Sequence, residues 1–353
     1  MQCIHINTAQ PYDVLVGRGT LSQVGQLAAP LLSGRQAVIV SDSNVWPLYG
    51  DAVRASLEKA GFSVENFVFP AGEESKNTEI LLKLIHFLAA KGLTRSDAVF
   101  ALGGGVTGDM AGLAAALYLR GIQCVQIPTS LLAMVDSSVG GKTAVDLPEG
   151  KNLLGCFSQP RLVVCDPDAL KTLRPAVYAE GWAEIIKYGM ILDADLLKKL
   201  DSPAAEANIE DVIARCVELK RQVVVEDEQD NALRQILNFG HTIGHAVERC
   251  ADFGCYHGEG VAIGMAIMTR ATVRQGTCPQ ECADKLEKLL VRYHLPNQTH
   301  FSQEKLLEAA RADKKRRGES ITLIRPAALG KCVMDKTDFK ALAEVLKLGM
   351  PVA

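Results

Sequence analysis

No stretch of the sequence is apolar over enough residues to cross a membrane. The longest compact apolar run, 110–119, has about ten residues and is rich in alanine, whereas a transmembrane helix needs about 20. The first residues also lack a basic segment followed by an apolar one, so we expect no signal peptide. We therefore expect a protein with no membrane partner.

Cysteine pairs of the C-x-x-C type are also absent. The ten cysteines are scattered, and no two of them have C-x-x-C spacing, although cysteine-rich metal sites and small disulfide frameworks are typically built on regular spacings. A chain of 353 residues with this pattern is most simply a cytoplasmic protein with reduced thiols.

The sequence has no basic excess. Its 38 Lys and Arg residues are balanced by 41 Asp and Glu residues, for a net charge of −3. General nucleic-acid binders need a basic face, so we expect no nucleic-acid partner. The total charge gives no indication of a small anionic ligand either.

The length predicts two domains, since one domain usually has about 100–200 residues. In the first part, short apolar runs alternate with helical patterns, and several runs begin about 30 residues apart, as in βαβ units. The predicted strands are 37–41, 64–69, 98–102, 124–127 and 162–165. We predict an α/β domain with a parallel sheet over 1–160.

Helical periodicity dominates the rest of the chain. Only 321–324 and 331–334 have an extended pattern there. The predicted helices are 192–200, 209–225, 236–249, 261–275, 282–293 and 339–348. We predict a mostly α-helical domain over 161–353.

A glycine-rich loop, Gly103–Gly108, has the pattern G-x-G-x-x-G between a predicted strand and a predicted helix, 110–120. Glycines let the backbone approach a pyrophosphate, and the N–H groups of a helix N-terminus face its charge. The acidic residue expected about 20 positions later is missing, and Asp109 follows the loop directly. Nucleotide binding is favoured over a glycine turn that binds nothing.

Polar residues follow two further predicted strands. Asp42 and Asn44 follow one, and Glu73 and Lys76 follow the next. Ligands of open α/β sheets bind at the carboxyl ends of strands, so these side chains could hold an adenosine. For each residue taken alone, a helix cap or a solvated turn is the simpler interpretation.

Three histidines indicate a metal site. His241 and His245 lie at i, i+4 on one helix face, and His257 lies in a glycine-rich turn. Such imidazoles suit a divalent metal when a carboxylate completes the set. Glu259 is the candidate nearby and Glu184 the distant one, and spacing does not decide between them or among the histidines. The alternative is histidines that pack helices, with Glu184 paired to a lysine at i+3.

Cationic residues suggest a small polyanionic substrate. Lys142, Lys151 and Asn152 lie in a Gly/Ser-rich segment, 136–155, that is not a P-loop because position 136 is Asp. We expect this segment to line a site. The other cationic residues lie on or beside predicted helices, where a solvated helix face is the simpler interpretation of each: Lys187, Lys220, Arg234, Lys314 and Lys315.

Several segments together resemble the 3-dehydroquinate synthase family of the sugar-phosphate cyclase superfamily, which is related in fold to metal-dependent alcohol and glycerol dehydrogenases. These segments are Gly103–Asp109, Asp136–Thr143, Gly150–Asn152, Glu180–Lys187, Asn238–His245, His257–Glu259 and Asp313–Lys315. Ser130, Phe239 and Gly260 stand where Thr, Trp and Ala are common in the family. None of these departures removes a charged or ligating group.

The resemblance implies a Rossmann-like NAD domain followed by a helical metal domain. It implies conversion of 3-deoxy-D-arabino-heptulosonate 7-phosphate, a sugar acid phosphate, to 3-dehydroquinate and phosphate in the shikimate pathway. The implied cofactors are catalytic NAD and a divalent metal, Zn²⁺ or Co²⁺. It also implies a homodimer, in which Arg120 reaches across the interface.

The resemblance further assigns roles to residues. The implied metal ligands are Glu184, His241 and His257. Positions that contact or border NAD are Asp42, Asn44, Glu73, Lys76, Gly104, Gly105, Asp109, Thr129, Ser130, Asp136, Lys142 and Lys151. Positions that contact substrate are Lys142, Asn152, Lys187, Lys220, Arg234, Asn238, His245 and either Lys314 or Lys315.

Overall fold

The structure, a computed structural model, describes residues 1–252, 254–314 and 320–351. It divides into two units. The first contains Met1–Leu173 and Ile213–Glu228, and the second contains Arg174–Val212 and the chain from Gln229 onward.

This division differs from the predicted 1–160 and 161–353 in two places. The strand Leu162–Cys165 lies inside the sheet of the first unit, between two other strands, so that unit has to extend past residue 160. The segment 213–228 also belongs to the first unit, where the Lys220 side chain bonds to Asp136.

The first unit is built on one large sheet and one hairpin. Its strands are β1 (Gln2–Ile6), β2 (Tyr12–Val16), β3 (Gln36–Asp42), β4 (Ser63–Phe69), β5 (Ala98–Gly103), β6 (Gln123–Pro128), β7 (Lys142–Leu147), β8 (Gly150–Phe157) and β9 (Leu162–Cys165). Its first helices are α1 (Val24–Ala28), α2 (Trp46–Lys59), α3 (Thr78–Ala90) and α4 (Gly105–Leu117).

The large sheet has the strand order β1-β2-β9-β6-β5-β3-β4. The pairs β3–β4, β3–β5, β5–β6, β6–β9 and β2–β9 are parallel, and β1–β2 is antiparallel. The buried runs of β3 and β5 fit strands that are covered on both faces. The five predicted strands are confirmed, and the Rossmann-like α/β class with them.

The segment 136–155 contains regular structure that its composition did not indicate. β7 and β8 form an antiparallel hairpin. Gly112 of α4 packs closely on this hairpin. A Cβ added to Gly112 would lie 3.5 Å from the Cβ of Thr143 and 2.6 Å from the Cγ2 of Thr143. The small residues of α4 therefore bring the hairpin beside the glycine loop.

The second unit is mostly helical, as predicted. After α5 (Pro175–Leu192), α6 (Ala194–Leu200) and α7 (Ala204–Ala207), α8 (Ile209–Glu226) runs from this unit into the first. Its later elements are α9 (His241–Cys250), α10 (His257–Arg274), α11 (Gln280–Arg292), α12 (Gln303–Lys314), β10 (Ser320–Ala328), β11 (Lys331–Asp338) and α13 (Phe339–Gly349). β10 and β11 pair antiparallel.

Helix α10 is at the centre of the second unit. It is buried over most of its length and packs against α5, α9, α11 and α13. The predicted helix 236–249 is broken: Leu233–Asn238 is a 3₁₀ turn, and α9 begins at His241. Gly240 has φ +80°, a conformation that ends one helix and lets the next begin. In the part of the chain that the structure describes, no helix has the length and hydrophobicity of a membrane span.

Candidate active site

In the first unit, the glycine loop joins β5 to α4 at the carboxyl edge of the sheet. A Cβ on Gly104 would lie 3.4 Å from Ser130 Oγ, and one on Gly105 would lie 3.2 Å from Ser137 Oγ. Thr129 is buried, and its N–H donates to the Gly103 carbonyl at 2.9 Å. The loop therefore lies beside two hydroxyls and forms the N-terminus of α4, a setting that suits a phosphate.

Asp42 stabilises the turn after β3. Its Oδ1 accepts the N–H groups of Asn44 at 2.8 Å and Val45 at 3.1 Å. Its other oxygen, Oδ2, lies 3.4 Å from the hydroxyl of Thr107 in the glycine-loop helix. Asp42 therefore caps a local turn, as the simpler interpretation expected, and it also lies beside the glycine loop. The Asn44 side chain is exposed.

A buried lysine connects three of the sequence segments. Lys76 Nζ donates to Asp109 Oδ2 and to Asn152 Oδ1, each at 2.6 Å. Burial alone would lower the pKa of Lys76, but the carboxylates of Asp109 and Glu73 outweigh it and raise that pKa. Lys151 Nζ lies 3.9 Å from Glu73 Oε1. These five residues form one charged cluster beside the glycine loop.

A second cation of the first unit is held by Asp136. Lys220 Nζ donates to the Asp136 carbonyl at 2.7 Å and to its carboxylate at 2.9 Å. Asp136 lies in a π-helical turn, Ala133–Ser137. Lys142 begins β7 and is exposed.

The second unit brings Glu184, His241 and His257 together. Glu184 Oε1 lies 3.5 Å from His241 Nε2 and 3.4 Å from His257 Nε2. Ligand atoms that sit about 2.1 Å from a tetrahedral Zn²⁺ are about 3.4 Å apart. The three donors therefore fit a divalent metal.

Glu259, the nearby candidate, has a different role. Its carboxylate accepts the N–H of Tyr256 at 3.1 Å and completes a capping box at the start of α10. Glu184 is the carboxylate beside the histidines, and its Oε2 also forms an ion pair with Lys187. Glu184 therefore pairs with Lys187 through Oε2 and faces the two histidines through Oε1.

The pKa values of the two histidines are shifted in opposite directions. Burial, with the charge of Lys187, lowers the pKa of His241 to about 3. Burial also opposes the charged form of His257, but Glu184 and Glu248 outweigh it and raise its pKa to about 10. Glu248 was missed at the sequence level, although its place on α9, three residues after His245, puts it on the histidine face.

Glycines explain why these residues lie so close together. A Cβ on Gly264 of α10 would overlap the Gly240 carbonyl and lie 3.0 Å from Gly244 N of α9. A Cβ on Gly260 would lie 2.9 Å from the Gly244 carbonyl. The backbones of α9 and α10 are therefore almost in contact, which sets His241 and His257 side by side, with ring centroids 5.2 Å apart.

The remaining predicted residues have varied surroundings. Lys187 and Arg234 are almost fully buried, at 1% and 2% exposure, whereas Asn238 and His245 are exposed. The His245 ring lies 5.6 Å from His241. Lys314 is the last residue of α12, and Lys315 lies outside the described residues. Arg120 is exposed, with φ +65°, in the turn after α4.

Glu180 is a further residue that the sequence analysis did not assign. Burial raises the pKa of its carboxyl to about 7, against the opposing effect of His257. Glu180 lies one helical turn before Glu184 on α5, and a Cβ on Gly258 would lie 2.6 Å from the Glu180 carbonyl. α5 and the start of α10 therefore pack tightly next to the metal set.

A Rossmann-like unit with a glycine loop and a helical unit with a Glu/His/His set place the chain in the class of sugar-phosphate cyclases. Within that class, the chain belongs to the 3-dehydroquinate synthase family. Residues 66–180 match the family model described as 3-dehydroquinate synthase N-terminal, and 181–316 match 3-dehydroquinate synthase C-terminal. The resemblance seen in the sequence is thus confirmed.

Curated relatives agree over nearly the whole length. The chain is 45% identical to the 3-dehydroquinate synthase of Lactococcus lactis subsp. cremoris over 345 residues, 96% of this chain and 97% of the relative. It is 43% identical to that of Clostridium acetobutylicum, over 96% of each chain. It is therefore an enzyme of a carbocycle-forming family.

Solved structures of other cyclases have the same fold. A 2-deoxy-scyllo-inosose synthase, solved with carbaglucose-6-phosphate, NAD⁺ and Co²⁺, has a TM-score of 0.89 at 27% identity, over 99% of this chain and all of that one. ValA, a 2-epi-5-epi-valiolone synthase from Streptomyces hygroscopicus subsp. jinggangensis with NAD⁺ and Zn²⁺, has a TM-score of 0.85 at 30% identity, over 96% of each chain.

Proposed function

We propose that the chain converts 3-deoxy-D-arabino-heptulosonate 7-phosphate to 3-dehydroquinate and phosphate, as a phosphorus–oxygen lyase of the shikimate pathway. The supporting observation is the Glu184, His241 and His257 set in a chain 45% identical to a 3-dehydroquinate synthase. The reaction consists of oxidation at C5, β-elimination of phosphate, reduction, ring opening and an intramolecular aldol closure.

Two groups would supply chemistry that side chains lack. NAD would be held at the glycine loop by Gly104 and Gly105, and a Zn²⁺ or Co²⁺ ion by Glu184, His241 and His257. When bound, NAD takes and returns a hydride, and the metal is a Lewis acid that lowers a hydroxyl pKa. The Lys76 cluster gives the NAD side a cation fixed by two hydrogen bonds.

The cationic residues would bind the two anionic ends of the substrate. Lys142, Asn152, His245 and Lys314 or Lys315 are proposed for the phosphate, and Lys220 and Arg234 for the carboxylate. Lys187 and Asn238 would complete the substrate contacts. Since Lys220 already bonds to Asp136, its ammonium is held in one orientation, which favours charge stabilisation over proton transfer.

The proposal includes a cytoplasmic homodimer with Arg120 at the interface. Leu119 and Arg120 both have positive φ, at +51° and +65°, an uncommon conformation for such residues that persists where surroundings enforce it. Leu117 and Leu119 are 51% and 41% exposed in the single chain. A second copy would cover them.

Free phosphate measured against NAD tests the reaction. With the heptulosonate phosphate, Zn²⁺ or Co²⁺ and a small amount of NAD, we expect phosphate and dehydroquinate in large excess over NAD, because the hydride is returned in every turnover. Phosphate release with no net NADH is the expected signature. A product yield limited by NAD would contradict the proposal and indicate a dehydrogenase.

The same assay with glucose 6-phosphate and sedoheptulose 7-phosphate tests substrate choice. We expect no phosphate release from either, because neither carries the carboxylate that Lys220 and Arg234 are proposed to bind. Turnover of glucose 6-phosphate in preference to the heptulosonate would indicate a 2-deoxy-scyllo-inosose synthase instead.

The Lys76→Met variant is expected to bind NAD about 10-fold or more weakly, because it leaves the Asp109 carboxylate, now 2.6 Å from Lys76 Nζ, as an unbalanced negative charge beside the proposed pyrophosphate site. A tenfold loss of affinity corresponds to about 1.4 kcal/mol. Calorimetric titration with NAD measures the affinity. Lys83→Met is the matched control, since Lys83 is an exposed lysine of α3 whose ammonium bonds to Glu79. Equal NAD affinity in both variants would remove Lys76 from the cofactor site.

A further inference from the structure

Both histidines of the metal set present the same nitrogen to Glu184. Their Nε2 atoms lie 3.5 Å and 3.4 Å from Glu184 Oε1. A neutral imidazole binds a metal through an unprotonated nitrogen, so the proton has to be on Nδ1 and needs an acceptor. For His241 this acceptor is the Phe239 carbonyl, 3.1 Å from Nδ1.

The corresponding acceptor for His257 is a side chain. Glu248 Oε2 lies 3.4 Å from His257 Nδ1. Glu248 is on α9 and is only 2% exposed, an environment in which an ionised carboxylate is costly unless it is paired. The glycine contacts between α9 and α10 bring this carboxylate to the first residue of α10.

We propose that Glu248 is a positioning residue that acts on the metal through His257. Its carboxylate accepts the Nδ1 proton, fixes the tautomer that leaves Nε2 available, holds the ring towards Glu184 and increases the basicity of the ligand. This role rests on the proposed function, since it requires the Glu184, His241 and His257 metal set.

A different role, as a ligand, is disfavoured by the geometry. His245, Glu248 and His257 also have donor atoms within 4.8 Å of one another. A cation there would require His257 Nδ1 to lose its proton while Nε2 faces the first site, and His245 is exposed. An ion bound through the two Nε2 atoms beside the buried Glu184 would keep the proton on both Nδ1 atoms, so that set is the better site for one ion.

Cobalt binding separates these roles without relying on activity. Co²⁺ affinity is measured by competition with a chromophoric chelator, and the site geometry by the visible absorption of the Co²⁺-loaded protein. We expect Glu248→Ala to bind Co²⁺ about 10–100-fold more weakly with a shifted spectrum. Glu248→Gln should fall in between, because its amide oxygen still accepts the Nδ1 proton but carries no charge.

Glu287→Gln is the control. Glu287 lies on α11 and bonds to Arg270 of α10, with 2.7 Å between Glu287 Oε1 and Arg270 Nε, so the variant neutralises a carboxylate that contacts α10 away from His257. Its Co²⁺ affinity and spectrum are expected to match those of the unaltered protein. Circular dichroism of each variant identifies any that fails to fold. If Glu248→Ala does not fold, the near-isosteric Glu248→Gln still tests the positioning role.

Three results would count against the inference in distinguishable ways. A folded Glu248→Gln and Glu248→Ala pair with unaltered affinity and spectrum would overturn the positioning role alone. Two Co²⁺ ions per unaltered chain, one of them lost in both variants, would make Glu248 a ligand. An unaltered protein that binds no Co²⁺ would overturn the metal set itself and the proposed function with it.

Discussion

Replacement of His257 by alanine is expected to lower turnover about 10³-fold or more and to leave the chain without a tightly bound divalent ion. Lewis-acid stabilisation is worth several kcal/mol, and each 1.4 kcal/mol is a factor of about ten in rate. The variant loses one of three donors and leaves the buried carboxylates of Glu184 and Glu248 with one partner fewer each. Phosphate release and metal content, measured by mass spectrometry, check both effects.

His300→Ala is the matched control, since His300 is an exposed histidine outside the metal set. It should keep full activity and one metal per chain. A His257→Ala protein that forms dehydroquinate at the unaltered rate would show that the Glu184 set is not the catalytic metal site.

The Gly264→Ala variant is expected to lose about 3 kcal/mol of unfolding free energy, near the upper end for overpacking. The added methyl group would lie 2.8 Å from the Gly240 carbonyl carbon, with the oxygen closer still. Backbone atoms cannot rotate away as a side chain does, so α9 has to move from α10. Because His241 and His257 begin those helices, we also expect weaker Co²⁺ binding.

Gly260→Ala, on the same helix, provides the graded control. Its Cβ would lie 2.9 Å from the Gly244 carbonyl and 3.2 Å from the flexible Glu248 side chain, so a smaller loss of unfolding free energy is expected. Chemical denaturation and Co²⁺ titration measure both variants. A Gly264→Ala protein as stable as the unaltered one would mean that α9 and α10 are not in close backbone contact.

Much of the first unit could be predicted because its signals are local. The apolar runs 37–41 and 98–102 predicted buried parallel strands, and both are confirmed. The hairpin of β7 and β8 could not be predicted in the same way. Its stability depends on pairing between strands and on contact with the small residues of α4, neither of which leaves a clear periodic pattern in 136–155.

The division of the chain also depended on tertiary contacts. Residues 213–228 have an ordinary helical pattern, yet they belong to the first unit. The pattern shows which face of a helix is apolar, but not which unit that face packs against. The bond from Lys220 to Asp136, far apart in sequence, could only be seen in the folded chain.

The sequence by itself determined that a glycine loop follows a buried strand, that His241 and His245 share a helix face, and that the motifs match one family. Those features depend on neighbouring residues or on motif order. Residue spacing left Glu184 and Glu259 both open, and the family resemblance implied Glu184. The tertiary structure places the Glu184 carboxylate beside the two histidines and adds Glu248, which the sequence did not indicate. Glu259 is closer to His257 in sequence, but its carboxylate caps α10. Glu184 reaches both histidines because α5, α9 and α10 pack closely enough, through glycine, to converge on one point.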